Sequence, residues 1–180
     1  MAVAFIILAV LLWVVSLFLQ GRRQLLAPAA SYLGLLTLSF ATGSDGLPLL
    51  PINNVILIGW LCMTLVVMTS VVLQPAAVRA QKRGTGYMTV GALAGMSVGL
   101  LGFTVGAGSL SLIYGLMILA TAAGTFFGFL LFTNTPDGAG VDLRSGRFFK
   151  YLLAKGFPIA IAVMMMGVAA VVAIATYATY

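Results

Sequence analysis

Twelve side chains in this 180-residue chain can carry a formal charge: nine Lys or Arg and three Asp, with no Glu and no His. Acid–base, metal-assisted and nucleophilic catalysis all need carboxylates, imidazoles or activated nucleophiles within hydrogen-bond reach of one another. Candidates for such chemistry are few here. Asp137 and Asp142 share a glycine-rich stretch and could in principle hold Mg²⁺, but two carboxylates without further oxygen ligands of charge make a thin donor set. Cys62 is the only cysteine, so an intrachain disulfide has no second sulfur, and the thiol reads as a small apolar filler. The chain contains no HExxH, no glycine-rich phosphate loop followed by Lys, and no GxSxG. No catalytic residue, metal or cofactor is expected, and the chain by itself does not read as an enzyme.

What remains is uncharged polarity. Ser111, Tyr114, Thr121 and Thr125 fall close together on a helical wheel of about 100° per residue. Trp13, Ser16 and Gln20 share another face, and Asn53 and Asn54 follow a loop directly. Two readings stand for these groups. Hydroxyls in helices satisfy their own backbone carbonyls and Asn caps helix starts; alternatively, Asn53, Asn54, Ser111, Tyr114, Thr121 and Thr125 line a narrow path for a neutral solute.

The elements that position these residues follow from composition. Hydrophobic residues make up 62% of the chain and charged residues 7%, against about a quarter charged in a soluble domain. An ordinary soluble protein, a disordered tail and a nucleic-acid-binding domain are excluded. A spanning helix needs about 20 largely uncharged residues, and six such runs occur, at 2–19, 25–41, 55–73, 87–105, 110–132 and 157–177. The expected fold is an all-α six-helix transmembrane bundle forming one domain over 1–180. The first run has no basic residue ahead of it, unlike a secretory signal, and is expected to be a permanent helix.

Arg22 and Arg23 lie in the first loop, Arg79, Lys82 and Arg83 in the third, and Arg144, Arg147, Lys150 and Lys155 in the fifth; the second holds only Asp45. With six spans those three loops share a side, and the positive-inside bias makes it cytoplasmic. The segments 20–24, 74–86 and 133–156 are then cytoplasmic and both termini extracytoplasmic, as in a bacterial inner-membrane protein. The basic loops would also attract anionic headgroups.

Two segments stand out. Over 142–155 a wheel places Phe148, Phe149, Leu152 and Leu153 on one arc and Arg144, Arg147, Lys150, Tyr151 and Lys155 opposite, the pattern of a basic amphipathic helix lying in the membrane interface. Its cations are candidates for docking a partner or lipid headgroups. In the fourth span, Gly91, Gly95, Gly99, Gly102 and Gly106 fall within an arc of about 80°, and the fifth answers with Gly124 and Gly128. In lipid such a stripe lets another backbone approach closely. Either spans four and five form a tight hairpin, or the stripe receives a partner helix or lipid tail.

These features point to a non-catalytic integral subunit of a larger membrane complex, associating through the glycine face and the basic loop. Membrane lipids with anionic headgroups and another membrane protein are the expected partners, and nucleic acid is not. The alternative is a small channel or transporter for a neutral or lipid-like solute.

Overall fold

A computed structural model describes residues 2–43, 46–76, 78, 83–103, 109–141 and 146–178. The long helices are α1 (Ala2–Arg22), α2 (Leu26–Ser39), α3 (Asn54–Val72), α4 (Thr85–Leu100) and α5 (Leu110–Thr133). A short α6 (Phe148–Tyr151) then runs through a π-helical turn, Leu152–Gly156, into α7 (Phe157–Ala178). A 3₁₀ turn, Leu101–Phe103, extends α4. No strand occurs among the described residues, which carry only an isolated bridge between Thr42 and Pro48.

Among the described residues, four helical stretches are long and apolar enough to cross a membrane: Ala2–Gly21, Asn54–Val72, Leu110–Thr133 and Phe148–Tyr177. The protein is thus all-helical, as a helical membrane protein requires. With 14 and 16 residues, α2 and α4 are shorter. At about 1.5 Å per residue α4 covers about 24 Å, and its 3₁₀ extension adds about 6 Å.

The last helix occupies the centre. In its best apolar window 67% of the residues are buried, against 11% for α1 and 22% for α3, and α7 packs against each of α1 to α5. Its sequence explains the position. Ala160, Ala162 and Ala169 keep neighbouring backbones close, while Ile161, Val163, Met164, Met165, Val168 and Val172 fill the spaces between them. Apolarity alone does not select it, since α1 is more apolar and far less buried; the small residues that admit close neighbours distinguish α7. Gly167 contributes as well, since a Cβ there would strike the Met117 sulfur of α5.

The π-turn has a local cause. Pro158 cannot donate to the carbonyl four residues back, and its ring crowds that carbonyl; the wider turn just ahead absorbs the misfit. The expected interfacial helix is corrected at this point. Residues 142–145 lie outside the described set, and Phe148 onward is one helical run with the last span. Its buried side is Phe148, Tyr151 and Lys155, whereas Phe149 is 71% exposed and Leu153 is also exposed. The buried arc is rotated by about 90° from the apolar one on a wheel of about 100° per residue. The reason is that this segment docks on protein: Tyr151 stacks on Phe129 at 5.4 Å and on Phe132 at 6.0 Å, and its hydroxyl donates to the Arg83 carbonyl. A buried tyrosine hydroxyl needs a hydrogen-bond partner, and the Arg83 carbonyl supplies it.

Candidate functional site

The site begins with the glycines of α4 and α5. A Cβ built on Gly91 would fall on the Gly124 carbonyl oxygen, and one on Gly124 would fall on the Gly91 carbonyl oxygen. One turn further along, a Cβ on Gly95 would meet the Ala120 carbonyl, and one on Gly99 the backbone of Met117. At the other end, Gly128 faces the Tyr87 carbonyl in the same way. The two helices therefore touch backbone to backbone over most of their shared length. Only at Gly102 does the contact relax to ordinary packing, 3.7 Å from the Ile113 side chain. Gly106 lies outside the described residues. The stripe is thus occupied by a helix of the same chain, and it is not free to receive another protein. The expected association through the glycine face is corrected to that extent.

On its outer side this pair leaves an apolar groove of about 780 Å³. Its walls include Tyr87, Val90, Ala94 and Val98 from α4 and Ala123 and Phe127 from α5. The groove arises because Gly and Ala, among them Ala94, Ala120 and Ala123, alternate in its lining with the larger Tyr87, Val90 and Phe127.

The candidate polar residues do not gather into one lining. Asn53 is exposed and caps α3, accepting from the Val55 N–H at 3.1 Å, and Asn54 is also exposed. Ser111 is exposed and lies 3.2 Å from Ser109, whose hydroxyl caps α5. Thr121 and Thr125 are buried, and each hydroxyl donates to the carbonyl four residues back, at 2.7 and 2.8 Å. Tyr114 stands apart, accepting from Trp60 Nε1 at 2.9 Å beside a pocket of about 340 Å³ between α3, α5 and α7. What the expected path lacks is a shared axis, because α7 fills it.

Several interhelical polar contacts carried no clear sequence signal. Ser31 of α2 donates to the Ala162 carbonyl of α7 at 2.7 Å. Trp13 Nε1 donates to the Ser31 carbonyl at 3.2 Å, and Ser16 donates to the Ala27 carbonyl at 2.7 Å. Thr89 donates to Gln20 Oε1 at 2.7 Å, tying α1 to α4, while the Gln20 Nε2 is buried without a hydrogen-bond partner. The shared face of Trp13, Ser16 and Gln20 was the available clue to these.

The described basic residues gather at one end. Gln20 joins the end of α1 to the start of α4, and Tyr151 joins α6 to Arg83, so Arg23, Arg83, Arg147 and Lys150 lie at a common level. All four are exposed. Arg83 pairs with Asp137. Lys155, expected on an outward face, is instead 1% exposed, its long aliphatic stem suited to an apolar surround. Arg144 lies outside the described residues, as does Asp142. Among the described residues no three His, Cys, Asp or Glu side chains stand together. No family model, curated protein or solved structure matches the chain.

Proposed function

We propose that the chain is a six-span, non-catalytic subunit or accessory protein of a larger membrane complex. The observation that supports this best is the contrast between a centre sealed by α7 and an outer surface dominated by poorly buried apolar helices. On α3, Val55, Ile58, Leu65 and Val66 are all more than half exposed, and α1 is apolar and exposed on most of its circumference. Among the described residues α7 fills the axis a solute would follow, whereas α1 and α3 offer a partner two long apolar helices. In the proposed orientation the basic end faces the cytoplasm, both termini face outward, and the membrane is a bacterial inner membrane.

The channel or transporter reading draws support from the Trp60–Tyr114 pair, beside a pocket open at the side of the bundle, and, for a lipid-like solute, from the apolar groove between α4 and α5. In the subunit reading, photo-crosslinking residues placed at Ile58 and Leu65 in the native membrane trap one larger protein in near-stoichiometric amount. The same residues at Leu116 and Leu119 of α5 do not. Lipid adducts alone at all four positions would defeat the subunit reading. Solute flux through liposomes holding only this chain would favour the transporter instead.

A further inference from the structure

The groove between α4 and α5 has a size, a lining and a mouth that together select an occupant. Measured along α4 it runs from Gly86 to Val98, about 18 Å at about 1.5 Å per residue. That is close to one leaflet, half of a hydrocarbon core of about 30 Å. Its walls are apolar along the whole length, with Val90, Ala94 and Val98 facing Ala123 and Phe127. One end of the groove, at Gly86 in the first turn of α4, comes three residues after Arg83, whose side chain is 69% exposed. The Arg83 pair with Asp137 engages one of five guanidinium N–H donors, leaving the fork able to meet a phosphate. Arg147 and Lys150 stand exposed at the same end, joined to it through the Tyr151–Arg83 contact.

We propose that this groove holds an acyl chain of an anionic phospholipid from the leaflet on the basic side, with its headgroup phosphate at Arg83. The long axis of the groove lies along the helix pair, as a lipid chain does. A second copy of the protein is a poorer match: the groove presents only a small part of the roughly 1,200–2,000 Å² that a stable interface buries. The inference rests on the membrane placement proposed above and is independent of any partner subunit.

The test uses the full chain in phosphatidylcholine nanodiscs containing a trace lipid with a photoactivatable acyl chain, presented as phosphatidylglycerol or as phosphatidylcholine. Adducts are mapped by peptide mass analysis. Labelling concentrated on α4 and α5, favouring phosphatidylglycerol by about fivefold, is the expected result, since one cation near the surface contributes about that factor. Arg83→Gln brings the two headgroups close to parity. Ala94→Phe with Ala123→Phe, which fills the groove, removes the α4 and α5 adducts, while Leu65→Phe on α3 leaves them. Should the double variant fail to fold, Gly86→Leu narrows the mouth instead, at a position where an added Cβ meets nothing within 4 Å. Equal labelling of α3 and α5, indifference to headgroup, or crosslinked dimers in place of lipid adducts would each overturn the proposal. A chain that failed to insert into the nanodisc would defeat the membrane placement itself, a result distinct from uniform labelling of an inserted chain.

Discussion

The bundle contains two tight antiparallel helix pairs, and they are held by different means. Between α4 and α5 the contact is backbone on backbone: Gly91 against Gly124, Gly95 against Ala120, Gly128 against Tyr87. Between α1 and α2 the contact is made by side chains that reach across, Trp13 to the Ser31 carbonyl and Ser16 to the Ala27 carbonyl. A single glycine, Gly34, makes room there, since its Cβ would stand 2.5 Å from the Trp13 Nε1. Lipid tails are as apolar as leucine, so burial alone does not join two helices in a membrane. One pair solves this by removing side chains and gaining close packing, the other by satisfying polar atoms across the gap. The first solution has no slack, because two carbonyls cannot move aside. The second has some, because an indole can turn.

The largest expected effect breaks the first pair. Gly95→Ile places a branched side chain on the Ala120 carbonyl. Overpacking in an ordinary core costs about 1–3 kcal/mol, and here the obstacle is main chain, so the cost lies at or above the top of that range. Thermal unfolding in nanodiscs should show a lowered midpoint or no cooperative transition. Even Gly95→Ala should be measurably destabilising, and a stability equal to the parent protein would show that the pair is looser than described.

An intermediate effect breaks the second pair. Gly34→Leu displaces the Trp13 ring, and Ser16→Ala removes one interhelical hydrogen bond. The first should cost about 1–3 kcal/mol. The second should cost about 0.6–1.7 kcal/mol, the range found for such bonds in membranes. Trp13 fluorescence, read in a Trp60→Phe background, should shift with Gly34→Leu and hardly at all with Gly95→Ile. A common shift in both would mean that the two pairs do not fail independently.

The smallest effect sharpens the comparison by lying outside both contacts. A Cβ at Gly59 or Gly115 meets nothing within 4 Å, so Gly59→Ala and Gly115→Ala should be neutral or slightly stabilising, by up to about 1 kcal/mol, as Gly→Ala in a helix is. Losses comparable to that of Gly95→Ala would mean that helix glycines here serve something other than close approach.

The two pairs also differed in how far the sequence disclosed them. The α4–α5 contact could be read from spacing, because Gly at every fourth or third position marks one helical face. A short connection at Gly106 to Ser109 then leaves span five as the nearest neighbour. The α1–α2 contact could not be read so easily. Trp13, Ser16 and Gln20 announced a shared face, but nothing in the sequence named Ser31, Ala27 and Thr89 as its partners. Two of those three acceptors or donors meet α1 through main-chain carbonyls, which every residue carries. The amphipathic reading of 142–155 set Tyr151 and Lys155 on the wrong side for a related reason. A wheel assumes an unbroken α-helix at a lipid surface, and Pro158, the π-turn and the aromatic rings of α5 replaced that surface with protein.

From the sequence alone came the apolar runs, the clustering of the basic residues between those runs, the glycine face and the scarcity of catalytic groups. Those are properties of composition and period, and they hold wherever the helices end up. Only the tertiary structure decided that α7 lies at the centre, that Thr121 and Thr125 turn to their own backbone, and that Tyr151 and Lys155 face inward. In lipid nearly every helix is apolar on most sides, so hydrophobicity no longer distinguishes inside from outside. Shape and a few interhelical hydrogen bonds make that choice, and both depend on which helices meet.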